Sequence, residues 1–499
     1  MLKDNKILLG KSEEKEIYLL PHQLNRHGLI AGASGTGKTI TLKVIAESLS
    51  ELGVPVFLAD IKGDLSGMIK QGDISVIQER LDSMGITDFE TKRYPVHFYD
   101  VYQEFGHPIR ATIEGMGPLL ISRILDLNEA QLGVLNIVFK VAKDMDLALF
   151  DLKDLQAMTS YVGEKSKDLT IKYGNVSKQS VGAILRQLLV LEQEGGELFF
   201  GQPSIDIEDW FYTIGNNGIM NILDCRKLVN SPSLYATFML WLLTNLYERL
   251  PEVGDLDKPK MVFFFDEAHI LFNNAPKNLM EKIIQTVKLI RSKGVGIFFC
   301  TQSPTDIPNE VLAQLSNRIQ HSLRAYTPSE IKAVKLAANS FRANPNFDTA
   351  EVITNMKTGT ALVSVLDEDG APTIVEKTKI LPPSSMMGQI DVSVQKEAIR
   401  NGSMYGKYEK SIDNISAYEE IDQIREKEAQ LAEAEKLQKE QDKLNAIKQK
   451  EEAKAQAKKE KNQKTMLERI SKKTVNQLEN AASRQIVKTA SSMLKNFLK

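Results

Sequence analysis

The stretch His27–Leu42, "HGLIAGASGTGKTITL", carries the pattern GxxxxGK[ST] at Gly32, Ala33, Ser34, Gly35, Thr36, Gly37, Lys38 and Thr39. A short apolar run, "GLIA", precedes the pattern, and "TGKTITLKVIAESLSELG", apolar at helical spacing, continues from it. Strand, glycine loop, helix is the context that a phosphate-gripping loop requires. Gly32, Gly35 and Gly37 let backbone N–H groups converge on phosphate oxygens with no β-carbon in the way, and the following helix turns its positive end toward them. Lys38 is then placed to neutralise the β- and γ-phosphates of a nucleoside triphosphate, and Thr39 to offer its hydroxyl to Mg²⁺.

A grip binds; cleavage needs a second constellation. In "MVFFFDEAH" the apolar run Val262–Phe265 reads as an interior strand, with Asp266 and Glu267 at its carboxyl edge. That edge is where ligands sit in open α/β sheets. Asp266 is suited to hold Mg²⁺ through water and Glu267 to polarise the attacking water. The next strand ends "FFCTQSP", which brings Thr301 and Gln302 to the same edge, where an amide can contact the γ-phosphate or its water. In "SNRIQHSLRA" a period of two puts Arg318, Gln320, Ser322 and Arg324 on one face and Ile319, His321 and Leu323 on the other. Arg318 and Arg324 are both candidates for stabilising phosphoryl-transfer charge, within a subunit or across a boundary. Asp60 and Asp64, in "ADIKGDLSGM", follow the second strand and are placed either to approach the nucleotide or to cap the next helix. His269 reads as a structural neighbour of the acidic pair.

The chain has 499 residues, too many for one ordinary core, so two or more domains are expected. Apolar residues make up 42% and charged residues 26%, and no run approaches the roughly 18 to 20 uninterrupted apolar positions that span a bilayer. The opening "MLKDNKILLG" lacks the apolar region of a secretory signal, so the expected address is cytoplasmic. With 63 basic and 65 acidic residues the net charge is −2, which excludes a general polycation; any nucleic-acid contact is local. Cys225 and Cys300 each end an apolar run, which predicts buried thiols and no zinc or disulfide role.

Strand-like and helical runs alternate, which indicates an α/β fold with a doubly wound, mainly parallel sheet. Residues 1–26 read as an N-terminal β-hairpin, 27–105 as the first part of the core and 106–215 as a mainly helical insertion. Residues 216–383 form the second part of the core, closing with a β-hairpin. Residues 384–499 read as linker, charged helical arm and terminal amphipathic helix. From Ser416 to about Lys473 the composition is dominated by Glu, Lys, Gln and Ala. Its seam candidates Ile424, Leu431, Leu437, Leu444 and Ile447 keep no steady seven-residue step, which favours a solvated helical arm over a coiled coil. Amphipathic spacing returns through Val475, Leu478, Ala482, Ile486, Met493 and Phe497.

Taken together, "GASGTGKT", "FFFDEAH", "CTQSPTDIPNEVLAQLSNRIQH" and "FLADIKGDLSG" resemble the HerA-like branch of the HerA/FtsK ATPases, in particular the bacterial HerA-like helicase-domain proteins. The likeness runs from about Lys6 to Pro383. It implies a RecA-like P-loop NTPase core, a homo-hexameric ring with ATP and Mg²⁺ bound between subunits, and ATP-driven movement of double-stranded DNA through the centre. It also implies the roles given above for Lys38, Thr39, Asp266, Glu267 and Gln302, together with a trans-acting arginine. Two other readings remain open on the residues: a ring ATPase for conjugative or secretion-type transport, and a nucleotide-dependent scaffold without motor activity. HerA proteins typically carry a larger amino-terminal β-barrel, whereas 26 residues precede the loop strand here. The resemblance therefore does not carry over the docking of a partner nuclease through such a barrel.

Overall fold

The computed structural model describes residues 1–13, 15–254, 256–272 and 277–496. It divides into a compact unit, Met1–Ile421, and a second unit, Asp422–Lys499.

The first unit is built on one sheet of 13 strands among the described residues. Across its centre the strands run Asn317–His321, Gly28–Ala31, Val295–Thr301, Met261–Phe265, Val56–Asp60, Met220–Asp224 and Val96–Asp100, all mutually parallel. Beyond Asn317–His321 the pairing turns antiparallel through Thr360–Ser364, Glu376–Ile380 and Lys6–Lys11. Strand Lys6–Lys11 also pairs antiparallel with Glu16–Leu19, so the N-terminal hairpin extends the main sheet. The expected α/β, doubly wound core is present.

Composition explains which strands are central. "MVFFF" and "VGIFFCT" are buried at every position, because a parallel strand covered by helices on both faces needs apolar side chains on both. Their rings stack between neighbouring strands, Phe264 on Phe298 at 5.3 Å and Phe265 on Phe299 at 5.5 Å between centroids. Cys225 and Cys300 are buried free thiols, as expected. Two strands that are close in sequence are not neighbours: Met261–Phe265 and Val295–Thr301 lie between Gly28–Ala31 and Val56–Asp60.

The helical insertion comprises Ile113–Ile124, Glu129–Asp144, Leu152–Glu164, Ser166–Tyr173 and Lys178–Leu191. Capping boxes start two of these helices, Asn128 with Gln131 and Asp151 with Asp154, so orphan N–H groups at each start are satisfied locally. The apolar helix Pro232–Arg249 packs beneath the insertion, and its Trp241 Nε1 donates to Gly115 O at 3.2 Å.

Residues 384–391, read from composition as the start of a linker, are bound to the core. The buried Glu47 carboxylate accepts the N–H and hydroxyl groups of both Ser384 and Ser385. One turn earlier, buried Lys43 donates to Met386 O at 2.6 Å. Both side chains sit on Lys38–Glu51, the helix that begins in the glycine loop. Composition hid this contact because its partners, a buried carboxylate and a buried ammonium, lie on a helix 337 to 343 residues earlier in the chain.

In the second unit the arm and the terminal segment are not separate elements. One helix runs Ala417–Asn496, since no Gly or Pro interrupts it and Glu, Lys, Gln and Ala all favour helix. Its seam candidates Leu431, Leu437, Leu444 and Ile447, and Val475, Leu478, Ile486 and Met493 after them, are exposed; Phe497 lies outside the described residues. Among the described residues no helix is long and apolar enough to cross a membrane.

His27 joins the core to the loop strand and makes its stability depend on pH. Its Nδ1 accepts the Ile297 N–H at 3.0 Å and its Nε2 faces Val287 O at 2.9 Å, an arrangement suited to the neutral ring. Burial pushes its pKa down to about 4, only partly opposed by the Val287 contact. Between pH 6.5 and 4 the unfolded chain therefore binds a proton that the folded one refuses, and stability falls as pH falls. The stability advantage of the wild type over His27→Gln should shrink by about 3 kcal/mol from pH 7 to pH 4, measured by denaturant titration at each pH.

Candidate nucleotide-binding site

The loop Gly32–Gly37 leaves the carboxyl end of strand Gly28–Ala31 and passes into the helix at Lys38. Its glycines are required by backbone geometry. Gly32, Gly35 and Gly37 have φ of +153°, +76° and +116°, a region that L side chains rarely adopt. At Gly32 a β-carbon would also come within 2.5 Å of the His321 β-carbon. The loop hangs from later segments of the chain: Gly32 N–H donates to Thr301 O at 3.2 Å and Ala33 N–H to Ser322 O at 2.9 Å. Thr36 O accepts from Gly359 N–H, also at 2.9 Å.

Lys38 curls over this loop, donating to Gly32 O at 2.7 Å and Ala33 O at 3.2 Å. Burial lowers its pKa; Glu267 and Asp266 oppose that shift and Lys62 adds to it. The two lysines and two acids therefore share one electrostatic field.

The acids follow strand Met261–Phe265 directly. Asp266 is 4% exposed, and burial, with Glu267 beside it, raises its pKa to about 6 despite Lys62. Glu267 has φ of +44°, an uncommon conformation for a non-glycine residue. Its Oε1 accepts from Lys62 Nζ at 2.8 Å and its Oε2 from Gln302 Nε2 at 3.2 Å. Burial alone would raise its pKa, but the bond and charge of Lys62, with Gln302 and Lys38, hold it below the usual range. His269 Nδ1 stands 3.5 Å from Oε2, as a neighbour of the acidic pair.

Other sequence candidates separate here. Gln302 reaches Glu267, whereas Thr301 is buried and donates to Asp306 Oδ2 at 2.7 Å. A cavity of about 520 Å³ beside the loop is lined by Ala33, Ser34, His269, Gln302, Arg324 and Glu330, among others. Arg324 therefore faces the site. Arg318 is engaged elsewhere: its guanidinium donates to Leu315 O at 3.0 Å, Leu312 O at 3.1 Å and Ser340 O at 3.3 Å, carbonyls at the ends of two helices. The polar face read along this strand is no surface, since Gln320 is buried and its Nε2 donates to His321 O. Asp60 stays beneath the turn, where it accepts N–H groups of Lys62, Gly63 and Leu65. Burial and Asp64 raise its pKa to about 7.

Two site residues escaped sequence reasoning. Parallel register sets Gln320 opposite Ala31, so His321 follows opposite Gly32; its Nε2 lies 2.8 Å from Thr41 Oγ1. Burial lowers its pKa to about 4, keeping a neutral ring against the loop. Lys62 was the other, standing between two acids in "ADIKGD" with no local pattern to single it out.

Residues 5–496 match the family model described as Helicase HerA-like C-terminal. The chain is 22% identical over 380 residues to the DNA double-strand break repair helicase HerA of Sulfolobus acidocaldarius, covering 74% of this chain and 68% of that one. It is 23% identical over 366 residues to the protein of the same description from Sulfurisphaera tokodaii, covering 72% and 66%. The matches thus span about two thirds of these relatives' own length. Among solved structures, the unbound bacterial conjugative coupling protein TrwBdeltaN70 superposes with a TM-score of 0.51 at 15% identity, covering 79% of this chain and 92% of that one. TrwB bound to a non-hydrolysable ATP analogue gives 0.51 at 16% identity with the same coverage. These likenesses show the fold.

The glycines can be ranked by experiment. A β-carbon at Gly35 would meet nothing within 4 Å, unlike one at Gly32. Gly32→Ala should weaken ATP binding about tenfold or more and clearly more than Gly35→Ala, as read by titration calorimetry, whereas Gly35→Ala should mainly cost about 1–2 kcal/mol of stability or less, as read by denaturant titration.

Proposed function

The chain belongs to the helicase HerA-like C-terminal family, a family of P-loop ATPases, and on that premise we propose that it couples ATP hydrolysis to movement along double-stranded DNA. The observation that carries this reading is the convergence of Lys38, Asp266, Glu267 and Gln302 on one edge of the sheet beside a phosphate-binding loop. The curated relatives described as DNA double-strand break repair helicases supply the DNA substrate of the proposal.

In this reading the loop amides and the amino end of helix Lys38–Glu51 hold the phosphates, and Lys38 exchanges its two loop carbonyls for β- and γ-phosphate oxygens. Gln302 steers the attacking water and Glu267 polarises it. Arg324, on the wall of the same cavity, balances the charge that builds as the γ-phosphoryl group departs. Arg318, with its donors committed to helix-end carbonyls, takes no part.

The residues present also fit Mg²⁺. The Thr39 hydroxyl and the buried Asp266 carboxylate are hard oxygen donors, few enough to leave positions for water and phosphate. Bound there, the ion would neutralise charge on the β- and γ-phosphates. We place the active assembly as a homo-hexameric ring around the duplex, which particle images with a non-hydrolysable ATP analogue and DNA would reveal directly.

Duplex DNA should raise ATP turnover, and the enzyme should displace a third strand from a triplex only while hydrolysing ATP. Glu267→Gln should lower turnover by about 100-fold or more while retaining nucleotide binding. Turnover indifferent to DNA would remove the translocase reading, and unchanged turnover in the variant would remove Glu267 as the residue that polarises water.

A further inference from the structure

In the structure both carboxylate oxygens of Glu267 are already engaged, which leaves it poorly placed to polarise water. Lys62 and Gln302 hold its two oxygens, at 2.8 and 3.2 Å, and its side chain is only 7% exposed. A carboxylate committed to an ammonium is a weak base for any third partner. Lys62 is built differently. Its backbone is pinned, with its N–H donating to Asp60 Oδ1 at 3.2 Å and its carbonyl accepting from Gln389 Nε2. The next residue, Gly63, has φ of +80° and donates to the same aspartate at 2.7 Å. By contrast the Lys62 side chain is 46% exposed, so the residue combines a fixed base with an ammonium that reaches toward solvent.

We propose that Lys62 is a positioning residue that reads the nucleotide: it neutralises Glu267 while the site lacks a triphosphate, and leaves it for the γ-phosphate when ATP binds. The inference rests on the ATPase reading above. Three observations support the exchange. Lys62 and Lys38 are close enough to influence each other's charge, and both feel Asp266 and Glu267, so the ammonium lies within the field of the bound phosphates. A terminal phosphate carries more negative charge than a carboxylate and offers three acceptor oxygens, so it outcompetes Glu267 for a mobile lysine. The Lys62 end of the pair is also nearly half exposed, so water can solvate the ammonium as it changes partner. ADP lacks the γ-phosphate, and its terminal β-phosphate is the one held by the loop amides and Lys38. After phosphate release Lys62 returns to Glu267, and the water-polarising carboxylate is withdrawn until the next ATP arrives.

The exchange makes Lys62 a discriminator between tri- and diphosphate, which a purely structural lysine would not be. Affinities for ADP and for the non-hydrolysable ATP analogue ADPNP should be measured by calorimetry on the full chain. Lys62→Met should weaken ADPNP binding about tenfold, as expected for one lost charge-assisted contact, with ADP affinity changed less than twofold. Lys62→Arg should restore most of the ADPNP affinity, because the charge and the reach are kept. In turnover, Lys62→Met should raise KM for ATP by a similar factor. An ADPNP-to-ADP affinity ratio equal to that of the wild type in Lys62→Met would overturn the proposal, as would equal loss for both nucleotides. Should the wild type bind neither nucleotide, the ATPase reading itself fails, a result separate from any property of Lys62.

Discussion

Strand Gly28–Ala31 has no neighbour from its own part of the chain. It is hydrogen-bonded on one side by Val295–Thr301 and on the other by Asn317–His321, and the loop that follows hangs from Thr301, Ser322 and Gly359. The phosphate grip is a local motif in sequence and a long-range object in space. Until the second part of the core has folded back, the loop has its glycines but not its shape. The insertion and the helix Pro232–Arg249 therefore lie within a fold that must close around them before a nucleotide can be held.

The same closure sets the charge balance of the site. Asp266 and Glu267 arrive at the end of an all-apolar strand, where burial disfavours two adjacent carboxylates. Lys38 from the neighbouring loop and Lys62 from the turn after Val56–Asp60 offset them, so the site brings two ammonium groups and two acids to one edge of the sheet. Lys38 rests on carbonyls of its own loop and Lys62 rests on Glu267, so each cation has an oxygen partner within the site.

The back of the helix Lys38–Glu51 carries a second network. Lys43 and Glu47, buried one turn apart, hold residues 384–386, and Gln389 in the same segment reaches the carbonyl of Lys62. The segment after the last strand of the sheet thus touches both the helix that starts in the phosphate loop and the turn that carries Lys62. Buried charged side chains are costly unless fully paired, and here the pairing is what turns a stretch of Ser, Met and Gly residues into part of the core.

Much of the site was legible because its residues sit in local patterns. The spacing of Gly32–Thr39, the apolar run ending in Asp266 and Glu267, and the placement of Gln302 after "FFC" each follow from a few consecutive residues and the rule that ligands gather at the carboxyl edge of a parallel sheet. Strand period misled at Gln320, which is buried, because a strand paired on both edges and covered on both faces has no polar side. His321 was read only as part of one strand face and Lys62 had no pattern at all: one depends on inter-strand register, the other on a turn folding toward a glutamate 205 residues away in sequence. By itself the sequence determined where the glycine loop, the acidic pair and Gln302 sit along the chain and that the scaffold is α/β, since periodicity and motif spacing are properties of neighbouring residues. Tertiary structure alone decided which arginine faces the cavity, which histidine backs the loop and which lysine holds Glu267, because those choices depend on strand order and register, which bring distant residues within a few ångströms.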